Sequence, residues 1–102
     1  MVIVTAKFEP LPGHQAALEP VLERMGAAYG RHGTTVQLFS PLVGRMMAYL
    51  AVFQFDSVTA YAQWRETMQG DADFQAAMAD FSGHIDAASW ETALYQAVDT
   101  AG

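Results

Sequence analysis

The chain has 102 residues, 52% of them apolar, with eleven acidic against five basic side chains and a net charge of −6. That length and apolar content fit one domain and exclude a disordered chain, while the scattered bases Lys7, Arg24, Arg31, Arg45 and Arg65 make nucleic acid and anionic membrane poor partners. Cysteine is absent, which removes disulfides, thiolate nucleophiles and zinc–thiolate sites and is compatible with the cytoplasmic location we expect.

The opening Met-Val-Ile-Val-Thr-Ala-Lys has no basic leader region and enters a strand pattern directly, so no signal peptide is expected. Val2 to Glu9 reads as a first strand with Val2, Val4, Ala6 and Phe8 on one face, and Pro10-Leu11-Pro12-Gly13 breaks it. From His14 the period becomes helical, through Leu18, Val21, Leu22, Met25, Ala28 and Tyr29. Pro20 interrupts that pattern, and an interior proline costs about 3 kcal/mol, so a kink or a late regular start is expected. Gly30 and Gly33 bracket the helix end.

Thr34 to Pro41 forms a second strand of mixed polarity, placed at a sheet edge by that mixture and by Pro41. After a turn at Val43-Gly44, Arg45 to Phe55 is apolar on both sides: Met47, Tyr49, Ala51, Phe53 and Phe55 point one way, Met46, Ala48, Leu50 and Val52 the other. Asp56 is expected to cap a second helix whose face carries Val58, Tyr61, Trp64, Arg65 and Met68. Gly70-Asp71 breaks it, and Asp71 caps a third, with Phe74, Ala77, Met78 and Phe81 at i, i+3, i+4 and i+7. Ser82-Gly83 ends that helix, and a last strand runs from about Ala88 to Val98. No apolar run approaches the roughly 18–20 residues of a bilayer span.

The order β-α-β-β-α-α-β predicts an α+β, ferredoxin-like βαββαβ domain over residues 1–98, with 99–102 as a frayed tail. Its four-stranded antiparallel sheet would carry helices on one face. A doubly apolar strand needs cover on both faces. Three aromatic side chains of that strand left in water would forfeit about 5–8 kcal/mol, a large part of the 5–15 typical of a domain. A homodimer through the open sheet face is the expected remedy.

Two stretches, Ala60-Tyr61-Ala62-Gln63-Trp64-Arg65 and Asp73-Phe74-Gln75-Ala76-Ala77-Met78, together with Pro12-Gly13, resemble the dimeric α+β barrel superfamily. That group includes antibiotic-biosynthesis-monooxygenase-like proteins, NIPSNAP-like proteins and haem-degrading monooxygenases. The resemblance spans essentially the whole chain. It implies two sheets facing each other in a barrel, with a pocket between each sheet and its helices. In haem-degrading members a helix histidine binds iron, a tryptophan ruffles the porphyrin and a first-strand asparagine assists. Trp64 matches the tryptophan, Met78 stands at the histidine position, the first strand offers Thr5 or Lys7, and the chain contains no asparagine. Cofactor-free members oxidise an electron-rich aromatic substrate in an apolar pocket. Trp64, Tyr49, Arg65 and Arg45 fit those roles, again without the asparagine of the family pattern.

The expected site therefore has Trp64, Arg65 and His84 as catalytic candidates, with Tyr49, Tyr61, Phe74, Met78 and Arg45 around a small apolar or aromatic ligand. Trp64 is equally suited to core packing, and Trp90 to the barrel interior with Tyr95 on its opposite side. Met25, Met46, Met47, Met68 and Met78 give an adaptable lining. Arg65 needs an anion if it faces inward and is a solvated helix charge if it faces out. His84 follows the third helix and is the best general-base candidate. His14, His32 and His84 make no metal motif in sequence, so neither metal nor cofactor is expected. Three functions follow: cofactor-independent oxygenation of an aromatic or quinol-like molecule, non-catalytic ligand binding or assembly on the same fold, and haem binding through Trp64 and Met78.

Overall fold

Alternation along the first strand decides which way the sheet faces. Val2, Val4, Ala6 and Phe8 are buried while Ile3, Thr5 and Lys7 keep part of their surface. The computed structural model describes residues 1–42 and 48–98. In chain order the elements are β1 (Val2–Phe8), α1 (Gln15–Arg31), β2 (Thr35–Phe39), β3 (Tyr49–Phe55), α2 (Val58–Gln69), α3 (Ala72–Ser82), a 3-10 turn at Ala87–Ser89, and β4 (Glu91–Gln96). The strands pair in the order β2-β3-β1-β4, all antiparallel. This is the ferredoxin-like α+β fold expected from sequence, with β2 at an edge. The expected turn at Val43-Gly44, the Arg45–Met47 part of the third strand and the 99–102 tail lie outside the described residues. The described part of β3 starts at Tyr49.

Cross-strand register fixes the two faces, since directly paired residues share one. Val4 pairs Phe53, Ala6 pairs Ala51 and Phe8 pairs Tyr49, so Tyr49, Phe53 and Phe55 lie under the helices. This corrects the expectation that the rings of the doubly apolar strand are left in water, because they lie on the helix-covered face, Phe53 buried and Tyr49 and Phe55 half-buried. The open face presents Ile3, Leu50, Val52, Phe39, Ala93 and Tyr95 among Thr5, Lys7, Gln37, Gln54 and Glu91. Apolar and polar residues alternate across it, Thr5 and Lys7 on the central strand β1 and Phe39 and Tyr95 on the edge strands.

α1 and α3 pack side by side over the sheet, and α2 lies against α3 and β3. Leu18, Val21, Met25, Ala28 and Tyr29 of α1 are buried. Pro20 is exposed, and helical bonding starts ahead of it with Leu18 N–H donating to the His14 carbonyl at 3.0 Å. A late start is thus not needed. The carbonyl that loses its donor to Pro20 belongs to Ala16, an exposed residue that water can satisfy. The cap of α2 is Ser57 rather than Asp56, its hydroxyl accepting from Ala60 N–H at 3.1 Å. No helix among the described residues is long and apolar enough to cross a membrane.

α1 ends in a Schellman motif. Thr34 N–H donates to the Tyr29 carbonyl at 3.0 Å and Gly33 N–H to the Gly30 carbonyl at 3.2 Å, with Gly33 at φ +66°. A second clasp follows at the α3 start. The Asp71 carboxylate caps α3 by accepting from Phe74 N–H at 3.0 Å, and it also takes His32 Nε2 at 2.8 Å and Arg31 at 3.0 Å. The capping N–H, then the imidazole and the guanidinium, hold its carboxyl well below the usual carboxylate range.

These helix ends can be tested by substitution. Gly33→Ala should cost about 1–2 kcal/mol in urea denaturation, because the left-handed φ penalises a Cβ that meets no other atom. Gly26→Ala, in the helix interior with the same open surroundings, should instead stabilise by about 0.5–1 kcal/mol. Asp71 contributes stability that is complete above the ordinary carboxylate pKa and lost as pH falls through its depressed value. Asp71→Asn should therefore lower the urea midpoint at neutral pH and flatten its decline below about pH 4 relative to the parent chain.

Candidate functional site: a cavity between sheet and helices

The register places two small residues at the centre of the helix-facing sheet. Ala6 and Ala51 pair across β1 and β3, with Leu38 and Thr92 continuing the row on either side. Neighbouring rows carry Phe8 and Tyr49 on one side and Val4 and Phe53 on the other. The rings stand higher than the alanine methyls, and a hollow remains beneath the helices. Its volume is about 660 Å³, inside the range of small-molecule pockets. Leu22, Met25 and Tyr29 of α1, Tyr61, Trp64 and Met68 of α2, and Phe74, Met78 and Phe81 of α3 form its roof and walls.

Few polar groups reach this space. The Tyr29 side chain is buried, and no described residue hydrogen-bonds its hydroxyl, yet no described polar atom is both buried and unsatisfied. The hydroxyl therefore keeps some surface, and the Tyr29 side chain is part of the cavity lining. Burial pushes its pKa up to about 12, so it stays a neutral donor. Arg65 is the one charged side chain among the described lining residues. It is exposed, lies 5.9 Å from the Tyr61 ring centroid, and has no ion pair with any described residue. It combines the two orientations considered from sequence: solvated, and at the cavity rim. Gln69, Gln75 and Thr92 complete the polar edge, the Gln75 amide donating to the Met68 carbonyl at 3.1 Å. No described lining residue is a carboxylate, an imidazole or a thiol.

Trp64 forms the end wall. Its indole N–H donates to Thr34 Oγ1 at 2.7 Å, and its ring lies 5.1–6.2 Å from the rings of Tyr29, Phe53, Phe55 and Tyr61. Beyond it a second, more polar cleft of about 470 Å³ opens between Thr34, Gln54, Asp56 and Gln63. The Schellman turn presents Thr34 to this indole. With its N–H already engaged, Trp64 offers a ligand only its ring face.

Of the residues expected at the site, Trp64, Arg65, Tyr61, Phe74 and Met78 line one cavity. Tyr49 does not line it but stacks on Phe8, with centroids 5.5 Å apart. His84 lies outside it, its Nδ1 3.0 Å from Nδ1 of His14. Arg45 lies outside the described residues. Trp90 packs on Phe8 and Phe81 on the helix side of the sheet, and Tyr95 lies on the open face. Sequence reasoning missed Tyr29, which falls on the apolar stripe of α1, where periodicity cannot separate a lining residue from a packed one. With no histidine in the described lining, these residues do not fit haem held by the histidine of the haem-degrading proteins.

The sequence matches no protein-family model and none of the curated proteins. Solved structures do match. A NIPSNAP domain protein from Burkholderia xenovorans superposes with TM-score 0.82 at 12% identity, covering 98% of this chain and 97% of its own. A point mutant of SnoaB, a cofactor-independent oxygenase from Streptomyces nogalater, gives 0.72 at 19% identity, covering 97% and 94%. An antibiotic biosynthesis monooxygenase gives 0.74 at 13% identity, covering 96% and 99%. The chain has the NIPSNAP and antibiotic-monooxygenase fold. At these identities the likeness concerns architecture, and the chemistry rests on this chain's own residues.

Thr34→Val should leave the Trp64 N–H without its acceptor and lower stability by about 1–3 kcal/mol. The tryptophan fluorescence spectrum should shift with it, whereas Thr35→Val, at a neighbouring position, should leave the spectrum unchanged.

Proposed function

We propose that each protomer of a homodimer binds a small, largely apolar, aromatic molecule in the helix–sheet cavity, and that oxygenation of such a molecule, aromatic or quinol-like, is its activity. The observation that carries this reading is the hollow of about 660 Å³ with aromatic walls, the Tyr29 phenol in its lining and Arg65, without an ion pair to any described residue, at its rim. A ring-shaped ligand matches the walls formed by Trp64, Tyr61 and Phe74. A ketone or phenol oxygen on it would accept from Tyr29, and an anionic oxygen would face Arg65.

The lining bears on mechanism as well. The described lining, with no carboxylate or imidazole, supplies no general base. The substrate must arrive as, or readily become, its own anion, which Arg65 stabilises. Such an anion can pass an electron to dioxygen, so the substrate is reductant and dioxygen oxidant, and the cofactor-free reading stays self-consistent. SnoaB and the antibiotic biosynthesis monooxygenase, which share the fold, carry oxygenase names and support this direction. The pairing of two copies would cover Ile3, Leu50, Val52 and Phe39 on the open face, with Thr5 beside Val52 near its middle and Gln37 and Glu91 on its edge strands.

Oxygen uptake with hydroxylated anthrone-like and quinol substrates tests the activity. Turnover should appear in the parent chain, fall at least about tenfold in Arg65→Gln mainly through KM, and disappear in Trp64→Phe with the dimer intact. Binding without turnover across the panel would favour a non-catalytic ligand carrier, and no binding at all would remove both readings.

A further inference from the structure

Two imidazoles seventy positions apart in the chain meet away from the ligand cavity. His14 occupies the position before α1 with its side chain free of any capping bond, and His84 directly follows the Gly83 cap of α3. The backbone on both sides is pinned. Leu11 N–H donates to the His84 carbonyl at 2.9 Å, Asp86 N–H donates to the Glu9 carbonyl at 2.8 Å, and Pro10 bridges Ile85. Both histidines are half-buried, and their Nδ1 atoms lie 3.0 Å apart with the ring planes inclined at 56°. Without an ion, one Nδ1–H donates to the other ring's lone pair, so the two rings hold different tautomers.

We infer that His14 and His84 chelate a divalent first-row transition ion of the Cu(II) or Ni(II) type through their two Nδ1 atoms. Metal–imidazole bonds of about 2.0–2.1 Å spanning this separation subtend about 90–97° at the ion. That is the angle between adjacent ligands in square-planar and octahedral complexes, which copper and nickel adopt. Tetrahedral zinc would need the nitrogens about 3.3–3.4 Å apart. Binding requires a tautomer shift in one ring and a turn of the rings that swings the lone pairs about 42–45° off the Nδ1–Nδ1 line toward the ion, not a new fold, because the backbone already brings both Nδ1 atoms together. No group of three histidine and carboxylate side chains converges among the described residues. Water therefore fills the remaining positions, and the site is exchangeable. Neither imidazole lines the ligand cavity, so this inference stands apart from the proposed oxygenase activity. Its structural effect is to fasten the loop after β1 to the loop after α3.

Titration of the tag-free chain with Cu(II) and Ni(II), followed by calorimetry and by copper EPR, tests it. The expected result is a single equivalent with two-nitrogen coordination. That binding should be unchanged in His32→Ala and weakened at least about tenfold in His14→Ala and in His84→Ala. NMR of the parent chain provides a second reading that does not depend on a variant folding: paramagnetic broadening should strike the His14 and His84 ring signals before those of His32. Affinity weaker than about 100 µM in the parent chain, unchanged binding in His84→Ala, or broadening centred on Met1 or His32 would overturn the inference.

Discussion

The cross-strand pair Ala6–Ala51 is the constraint on which the site depends. A sheet covered by helices normally fills the space between layers with interlocking side chains. Here the central row carries two methyl groups while Phe8, Tyr49 and Phe53 stand in the rows beside it. Those rings, with Tyr29, Phe74 and Phe81 from the helices, prop the layers apart. The hollow follows from the register, since a slip of either strand by one residue would turn its alanine to the open face.

The end wall of the hollow is held by a chain of local causes. Gly33 allows the left-handed turn that closes α1, the turn presents Thr34, and the Thr34 hydroxyl fixes the Trp64 indole. One residue before Gly33, His32 reaches the carboxylate that caps α3. The end of α1 thus orders the wall contributed by α2 and the start of α3 together. The exposed Arg24–Asp80 pair also joins α1 to α3, but pairs in water add little.

Much of this architecture is legible in the residues. The spacing of Phe74, Ala77 and Phe81 marks α3, Asp71 marks its cap, and the mixed polarity of Val36 to Phe39 marks an edge strand. The composition of the doubly apolar third strand does not say which side the helices take. Tyr49, Phe53 and Phe55 lie under the helices because β1 commits Phe8, Val4 and Val2, their partners, to that side. Ser57 displaces Asp56 as cap because its hydroxyl, not the carboxylate, lies within reach of Ala60 N–H. The meeting of His14 with His84 depends on a bridge between distant loops, which no local spacing encodes. Tyr29 and the alanine pair look like ordinary core in sequence, and only the three-dimensional register shows that they border empty space.

If the space beneath the helices is open, a larger side chain at its floor has room, and the ligand is what it excludes. Chemical denaturation of Ala51→Leu, read alongside binding of an anthrone-like probe, tests this directly. Stability should equal or exceed that of the parent chain, with binding abolished. A loss of about 1–3 kcal/mol, the usual effect of overfilling a packed core, with binding retained, would contradict an open cavity at this floor.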